Sequence, residues 1–474
     1  MSAMKRSLLT VILIVISFVC GAKVRLPAII SDNMVLQRQT RANIWGWADP
    51  GKPITVTTSW NLRQYRATAD KDGGWLVKVA TPEAGGPYAI TVSDGHGTTL
   101  KNILIGDVWI CAGQSNMEMP VIGFWGQPVN SAAETIMRSG DDRKVRFATI
   151  ERQTGNIPEK DCTTAWCVAS PATTPSFSAI GYFFARELSR TLDIPIGVIS
   201  SSWGSARMEA FMTREAAAPV TGPEFLDKID RNDAIQTRPA YLYNGMIAPI
   251  TRFTARGFVW DQGAANRFEW RQFAALTKAM VEFWRKEWGD DKMPFYNIQL
   301  SPYHFGKPGN IEMPLTEMAQ LEAVKITPLS YLVPAGDIYN ETEPHQPEKD
   351  ILGRRTALIA LVKTYGVETS LPVDPIVPDS IRFDGGKAIV RFANAWYGLY
   401  PSSGIEGFEL AGEDRVFHPA KARTVPKTPV VEATCDMVPK PVAVRYAFRN
   451  QIRATLFNTT GMPVCPFRSD NWDK

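Results

Sequence analysis

From Ile105 to about residue 370 the chain alternates short apolar runs with amphipathic stretches of helical period, and this alternation constrains the fold more than any other feature. Val108-Trp109-Ile110-Cys111-Ala112 is an unbroken apolar run of the kind that forms a strand buried on both faces. Val145-Arg146-Phe147-Ala148, Gly197-Val198-Ile199-Ser200, Gly257-Phe258-Val259-Trp260 and Phe295-Tyr296-Asn297-Ile298 follow as further strands. Between Asn266 and Gly289 the residues Phe273, Leu276, Met280, Phe283 and Trp284 fall at three- and four-residue steps, which is one face of a helix. Strands separated by covering helices run parallel and are joined by crossovers, so the pattern predicts an α/β fold with a doubly wound parallel sheet.

The flanks read differently. Ala42-Asn43-Ile44-Trp45-Gly46-Trp47, Ile54-Thr55-Val56-Thr57 and Ala89-Ile90-Thr91-Val92 are short β-rich runs divided by glycine, proline and aspartate turns. They predict an N-terminal β-sandwich-like module over residues 23–105, followed by the α/β domain over 106–370. After Leu371 short strands return, as in Ala388-Ile389-Val390-Arg391-Phe392 and Val442-Ala443-Val444-Arg445-Tyr446, and residues 371–474 form a second β-rich region.

Residues 1–22 read as an export signal: Lys5 and Arg6, an apolar stretch over residues 8–19, then small residues ending at Ala22. The stretch is short for a membrane span, so cleavage after Ala22 and a periplasmic or extracellular destination are expected. Lipidation at Cys20 is disfavoured by the preceding Ser17-Phe18-Val19. Cleavage lowers the formal charge of +4 by two, which makes nucleic acid an unsuitable partner. Of the six cysteines, Cys111, Cys162, Cys167, Cys435 and Cys465 then remain. Cys162 with Cys167 and Cys435 with Cys465 are plausible pairs in an oxidising compartment, and Cys111 reads as a small buried hydrophobe. The histidines His96, His304, His345 and His418 are far apart and no metal-ligand spacing occurs, so no metal is expected.

Chemistry-bearing residues collect at predicted strand ends. Ser115 follows the first strand within Gly113-Gln114-Ser115-Asn116-Met117, Gly204 follows Ser200-Ser201-Ser202-Trp203, and Asn266 follows Gly263-Ala264-Ala265. His345 precedes the last helix. A serine nucleophile needs a base, and its oxyanion needs donors placed in advance. His345 is the candidate base, and the amides of Ser115 and Gly204 with the Asn266 side chain are the candidate donors.

The order Ser, Gly, Asn, His in these contexts resembles the SGNH hydrolases. Gly113-Gln114-Ser115-Asn116-Met117, the stretch from Phe177 to Leu188, Trp203-Gly204, Asp32-Asn33-Met34-Val35-Leu36-Gln37 and the ending Pro466-Phe467-Arg468-Ser469-Asp470 resemble the sialate O-acetylesterase family within that group. The resemblance spans about Leu26 to Trp472. It implies a flavodoxin-like SGNH domain and an exported serine carboxylic-ester hydrolase needing no cofactor. Its partner would be an acetylated sugar or glycan, with O-acetyl groups removed from sialic acid through an acetyl-Ser115. Gln114, Asn116, Trp203, Asp261 and Gln262 are the candidate substrate-binding residues.

Three departures from the family pattern bear on the mechanism. Where the family has Tyr-Gln-Gly-Glu-Ser-Asn, this chain has Asp261-Gln262-Gly263-Ala264-Ala265-Asn266, losing an acidic side chain at Ala264. Where it has Asp-Ile-His-Pro, this chain has Glu343-Pro344-His345-Gln346-Pro347. Glu343 is therefore the candidate triad acid, ahead of Glu341 and Asp337. Where it has Gly-Gly-Thr, this chain has Gly204-Ser205-Ala206. Each residue also has a plainer reading: a turn or cap for Ser115, Gly204 and Asn266, a solvated loop for His345 and Glu343, packing for Trp203 and Trp260. The competing function is a carbohydrate-binding paralogue with impaired catalysis, and other acetylated glycans such as xylan or pectin stay open as substrates.

Overall fold

A computed structural model describes residues 24–307, 309–340 and 342–472. The expected export signal, Cys20 within it and Glu341 lie outside the described residues.

The central sheet runs in the order Ser330–Val333, Phe295–Ile298, Gly257–Asp261, Gly97–Gly113, Ile196–Ser202, Val145–Thr149 and Trp166–Val168. All neighbours are parallel except the last, which is antiparallel. Without Val145–Thr149 and its antiparallel neighbour, the strands taken in chain order stand as 2-1-3-4-5, the flavodoxin-like arrangement. In that arrangement the chain leaves the first strand in one direction and returns on the other side of it. The cleft at the carboxyl ends of Gly97–Gly113 and Gly257–Asp261 is therefore open to a ligand.

Residues 108–112 show why an apolar run without alternation belongs here. Trp109 and Cys111 face a core shared with the helices Ala179–Leu192 and Lys349–Lys363. Val108, Ile110 and Ala112 face the opposite core, which the helix Trp270–Trp288 covers with Phe273, Leu276, Met280 and Trp284. Both faces are buried because successive side chains point to opposite sides of a strand. The strands Ser330–Val333 and Trp166–Val168 were not legible beforehand; they are partly buried edge strands of only four and three residues, too short to show a period.

The boundary expected between residues 105 and 106 falls inside a continuous strand. Residues up to Ile105 pair with Gly85–Ser93 of the N-terminal module, whereas Asp107 onward pair with Ile196–Ser202. At the junction a Cβ on Gly106 would stand 2.0 Å from the Pro195 carbonyl oxygen, so only glycine passes. Beside it the buried Asp107 carboxylate accepts from Gln37, Arg38 and Arg256, tying the module to the sheet. Burial raises the Asp107 pKa, but Arg256 and Arg38 outweigh it and hold the group below its usual value.

The C-terminal region is built of antiparallel sheets drawn from Pro378–Asp384 through Phe467–Arg468. It also braces the central domain. Asn450 accepts from the Tyr303 and Met313 amides and donates to the Phe305 carbonyl, fixing a segment that borders the cleft.

The suggested disulfides do not form: all five described cysteines are free. Cys162 belongs to the core on one face of the sheet and Cys167 packs against the core on the other, so the sheet separates their thiols. Cys111 is wholly buried in its strand, and burial pushes its thiol pKa up.

Candidate active site

The turn after the first strand is made by Gly113. Its φ is +145°, and a Cβ there would stand 2.1 Å from the Asp261 carbonyl oxygen, so glycine is required. The Gln114 amide then donates to that same carbonyl at 2.9 Å, and the Trp203 amide donates to the Gly113 carbonyl at 3.1 Å. These bonds lock three strand ends together and start a short helix at Ser115, Ser115–Glu118. As its first residue, Ser115 has an amide with no acceptor within the helix, and it finds none among the other described residues.

Ser115 lines a cleft of about 460 Å³ with Gln114, Asn116, Ser205, Arg207, Arg267 and His345. The structure thus brings the candidate nucleophile and base into one cavity. No hydrogen bond joins their side chains among the described residues, and such bonds often tighten only when substrate is bound.

On the strand-end side the expected donors are already engaged. The Gly204 amide donates to Glu118 Oε2 at 2.9 Å, and Glu118 Oε1 pairs with Arg152 at 2.6 Å. The Asn266 carboxamide is largely engaged as well: Oδ1 accepts from Gln262 at 2.6 Å and from the Met208 amide at 3.1 Å, while Nδ2 donates one of its two hydrogens to Glu209 at 2.9 Å. Glu209, fully buried, also accepts from Arg207, which reaches Glu269 at 3.1 Å. Burial alone would lower the Arg207 pKa, yet Glu209 and Glu269 raise it. As arranged, the Gly204 amide is taken by a carboxylate, while the second N–H of Asn266 Nδ2 is buried and the residue is not part of the cleft wall. Ser205 stands at φ +61°, the left-handed region its glycine counterpart would occupy freely, and its side chain borders the cleft.

On the histidine side, Glu343 does not touch the imidazole. Gln127 lies between them: its Nε2 donates to Glu343 Oε2 at 2.7 Å, and its Oε1 meets His345 Nδ1 at 2.5 Å. Phe124 packs edge-on against the imidazole, with ring centroids 5.1 Å apart. Burial first, and Lys349 second, hold the His345 pKa down to about 4, so the ring is neutral at ordinary pH. Asp337, the other acid considered, is taken by a two-pronged pair with Arg355.

Beneath the cleft sits a buried pair that the sequence did not reveal. Lys349 Nζ donates to Asn116 Oδ1, and Asn116 Nδ2 donates to the Pro344 carbonyl at 3.4 Å, joining the Ser115 helix to the His345 loop. Burial lowers the Lys349 pKa and raises that of Asp261; each charge partly offsets the effect on the other. Of the candidate substrate-binding residues, Gln114 and Asn116 lie on the cleft wall, and Gln114 Oε1 is buried without a partner. Trp203, Asp261 and Gln262 are not part of that wall. Gln262 orients Asn266, and Trp203 lies under the Arg152 guanidinium, 5.4 Å from its ring centroid.

Among the described residues no cluster of histidine, cysteine and carboxylate side chains could hold a metal ion, and no helix is long and apolar enough to cross a membrane.

Comparison with known proteins bears on this geometry. Residues 105–357 match the model of a family described as carbohydrate esterase, sialic acid-specific acetylesterase. A carbohydrate acetylesterase from Xanthomonas citri, known from its crystal structure, is 31% identical and superposes with a TM-score of 0.85, covering 95% of this chain and 100% of that one. The chain belongs to this family of carbohydrate esterases. Sialate O-acetylesterases from Mus musculus and Homo sapiens are each 26% identical to it. The mouse protein aligns over 76% of this chain and 77% of its own length, the human protein over 78% and 76%.

Ala264, the position read from the sequence as the loss of an acid, lines the same cleft as His345. Four site residues escaped the sequence reading: Gln127, Phe124, Glu118 and Lys349. Lys349 opens the helix four residues beyond His345, a proximity that could have drawn attention to it. Gln127 and Phe124 carry no local motif, and Glu118 reads as an ordinary helix residue.

Proposed function

We propose that this chain hydrolyses O-acetyl esters of sugars through an acetyl-enzyme on Ser115. The Ser115 hydroxyl attacks the acetyl carbonyl and passes its proton to His345. The carbonyl electrons move onto oxygen, and the sugar leaves with the proton from His345. Water then repeats the sequence and releases acetate. The observation that carries this reading is the placement of Ser115, with a free amide at a helix start, in the same cleft as a neutral, half-buried His345.

The Ser115 amide is the first donor to the oxyanion. The Gly204 amide joins it only if Glu118 releases it; Asn266 acts as a clamp on Met208 and Glu209 rather than as a donor. Gln114 Oε1 accepts a sugar hydroxyl, which would satisfy a buried oxygen that has no partner. Arg267 on the cleft wall suits the carboxylate of a sialic acid, the substrate we favour, while acetylated xylan and pectin remain the other candidates. In this reading the α/β domain is an SGNH domain over residues 106–370, carried between the two β-rich regions, and the protein works in the periplasm or outside the cell.

A second reading, a sugar-binding relative with impaired catalysis, draws on two observations: no carboxylate touches His345, and Glu118 occupies the Gly204 amide. Acetate release from 9-O-acetylated sialic acid, with p-nitrophenyl acetate as a generic ester, separates the two. Turnover that disappears in Ser115→Ala supports the esterase. Absence of Ser115-dependent turnover on both esters supports the binding protein, and turnover of the generic ester alone redirects the search to other glycans.

A further inference from the structure

We propose that Gln127 is the positioning residue for His345, standing where a hydrolase triad ordinarily has its carboxylate, and that Glu343 acts on the histidine only through it. This deepens the esterase reading and rests on it.

The hydrogen-bond chemistry determines the arrangement. An ionised carboxylate only accepts, so the amide nitrogen of Gln127 must face Glu343. Its oxygen then faces His345, and that oxygen only accepts, so Nδ1 must carry the proton. Nε2 is left with the lone pair that a general base needs. Reversing the amide would set its oxygen against the Glu343 carboxylate and its nitrogen against Nδ1–H, losing both bonds.

The turn that presents Gln127 is closely specified. A Cβ on Gly123 would stand 2.3 Å from the Gln127 carbonyl oxygen, and Gly126 sits at φ +72°. The Gln127 amide donates to the Phe124 carbonyl at 3.0 Å, so the residue that packs on the imidazole and the one that hydrogen-bonds it come from one turn. Alanine at 264 leaves no acid across the cleft, and Asp337 is committed to Arg355. The charged groups around the imidazole are Lys349, with Asp261 behind it, Glu343 beyond Gln127, and Arg207 and Arg267 on the far wall. No anion in this set touches the ring.

When Nε2 takes the Ser115 proton, the new positive charge is shared with Nδ1–H and met by the Gln127 carbonyl dipole, which Glu343 polarises from behind. No proton passes beyond Nδ1.

The test uses the chain lacking residues 1–22, with Gln127→Leu and the exchange Gln127→Glu/Glu343→Gln. Ring ¹⁵N signals report the tautomer of His345, one of only four histidines. In the wild type these should show Nδ1–H. Gln127→Leu should lower kcat about a hundredfold with KM little changed, and mix the tautomers. The exchanged pair puts a carboxylate directly on Nδ1–H. It should recover to within about tenfold of the wild type and move the acid limb of the pH profile upward, because an adjacent anion favours the imidazolium.

Gln127→Leu within about threefold of wild-type kcat overturns the relay. So does a fall in kcat without any change in the ring signals, since lost packing alone would produce it. If the wild type shows no Ser115-dependent turnover, the esterase reading fails, and the ring signals alone decide the relay. Nδ1–H present in the wild type and lost in Gln127→Leu supports it; one tautomer in both overturns it.

Discussion

The two sides of Ser115 are built on different physical terms. On the strand-end side, Asn266, Gln262, Glu209 and Arg207 form a buried network in which charge meets charge and amide meets carboxylate. These residues follow strands that the sheet holds in register, so the network inherits the rigidity of the core. On the other side, His345, Glu343 and Gln127 come from two loops and are only partly buried. They are held by one turn, an aromatic contact and a few hydrogen bonds between residues more than 200 positions apart. A network on rigid elements tolerates little substitution, whereas a loop can exchange one orienting group for another. It is on the loop side that a neutral amide, rather than an acid, meets the histidine.

Breaking the chemistry between the two sides should have the largest effect. Ser115→Ala is expected to lower ester turnover by about 10⁴ or more, about 5 kcal/mol of barrier, with the melting temperature nearly unchanged; steady-state kinetics and calorimetry check both. Next comes the buried network. Glu209→Ala leaves Arg207 with less compensation and Asn266 without its acceptor, and should destabilise the fold by about 3–5 kcal/mol, read from denaturant unfolding. A Glu209→Ala protein as stable as the wild type would remove the contrast in rigidity.

The pH profile sharpens the comparison on the loop side. His345 must be neutral to act as a base, so kcat/KM should hold steady above its pKa and fall as the pH drops through about 4. Lys349 opposes protonation of the imidazole, so Lys349→Met should move that acid limb upward, toward the ordinary histidine range. A limb that stays in place would show that burial alone sets it. The smallest effect is expected at the rim. Arg152 is about half exposed where it pairs with Glu118, and Arg152→Ala should change stability by about 0–1 kcal/mol. A larger loss would mean that Glu118 needs Arg152 to hold the Gly204 amide.

The sheet was legible because its signal is local. The run at residues 108–112 is apolar throughout, since both its faces are covered. Edge strands such as Ser330–Val333 were missed because four residues are too few to show a period. Ser115 and His345 stood out as candidates for a similar reason, as each sits in a recognisable sequence context. The site partners did not, because a glutamine in a Gly-Phe-Trp-Gly-Gln turn advertises nothing about a histidine 218 residues later. Likewise nothing near Gly204 announces that its amide meets the side chain of Glu118.

By itself, then, the sequence determined the strand-helix alternation and singled out Ser115 and His345 as the candidate nucleophile and base. Only the tertiary structure decided which donor each oxyanion candidate had left, that Gln127 stands between Glu343 and His345, and that Asp261 and Lys349 share a buried floor. The division has a physical cause. Periodicity and turn conformation depend on neighbours along the chain, whereas a hydrogen bond depends on where loop closure finally sets two groups to within about 3 Å.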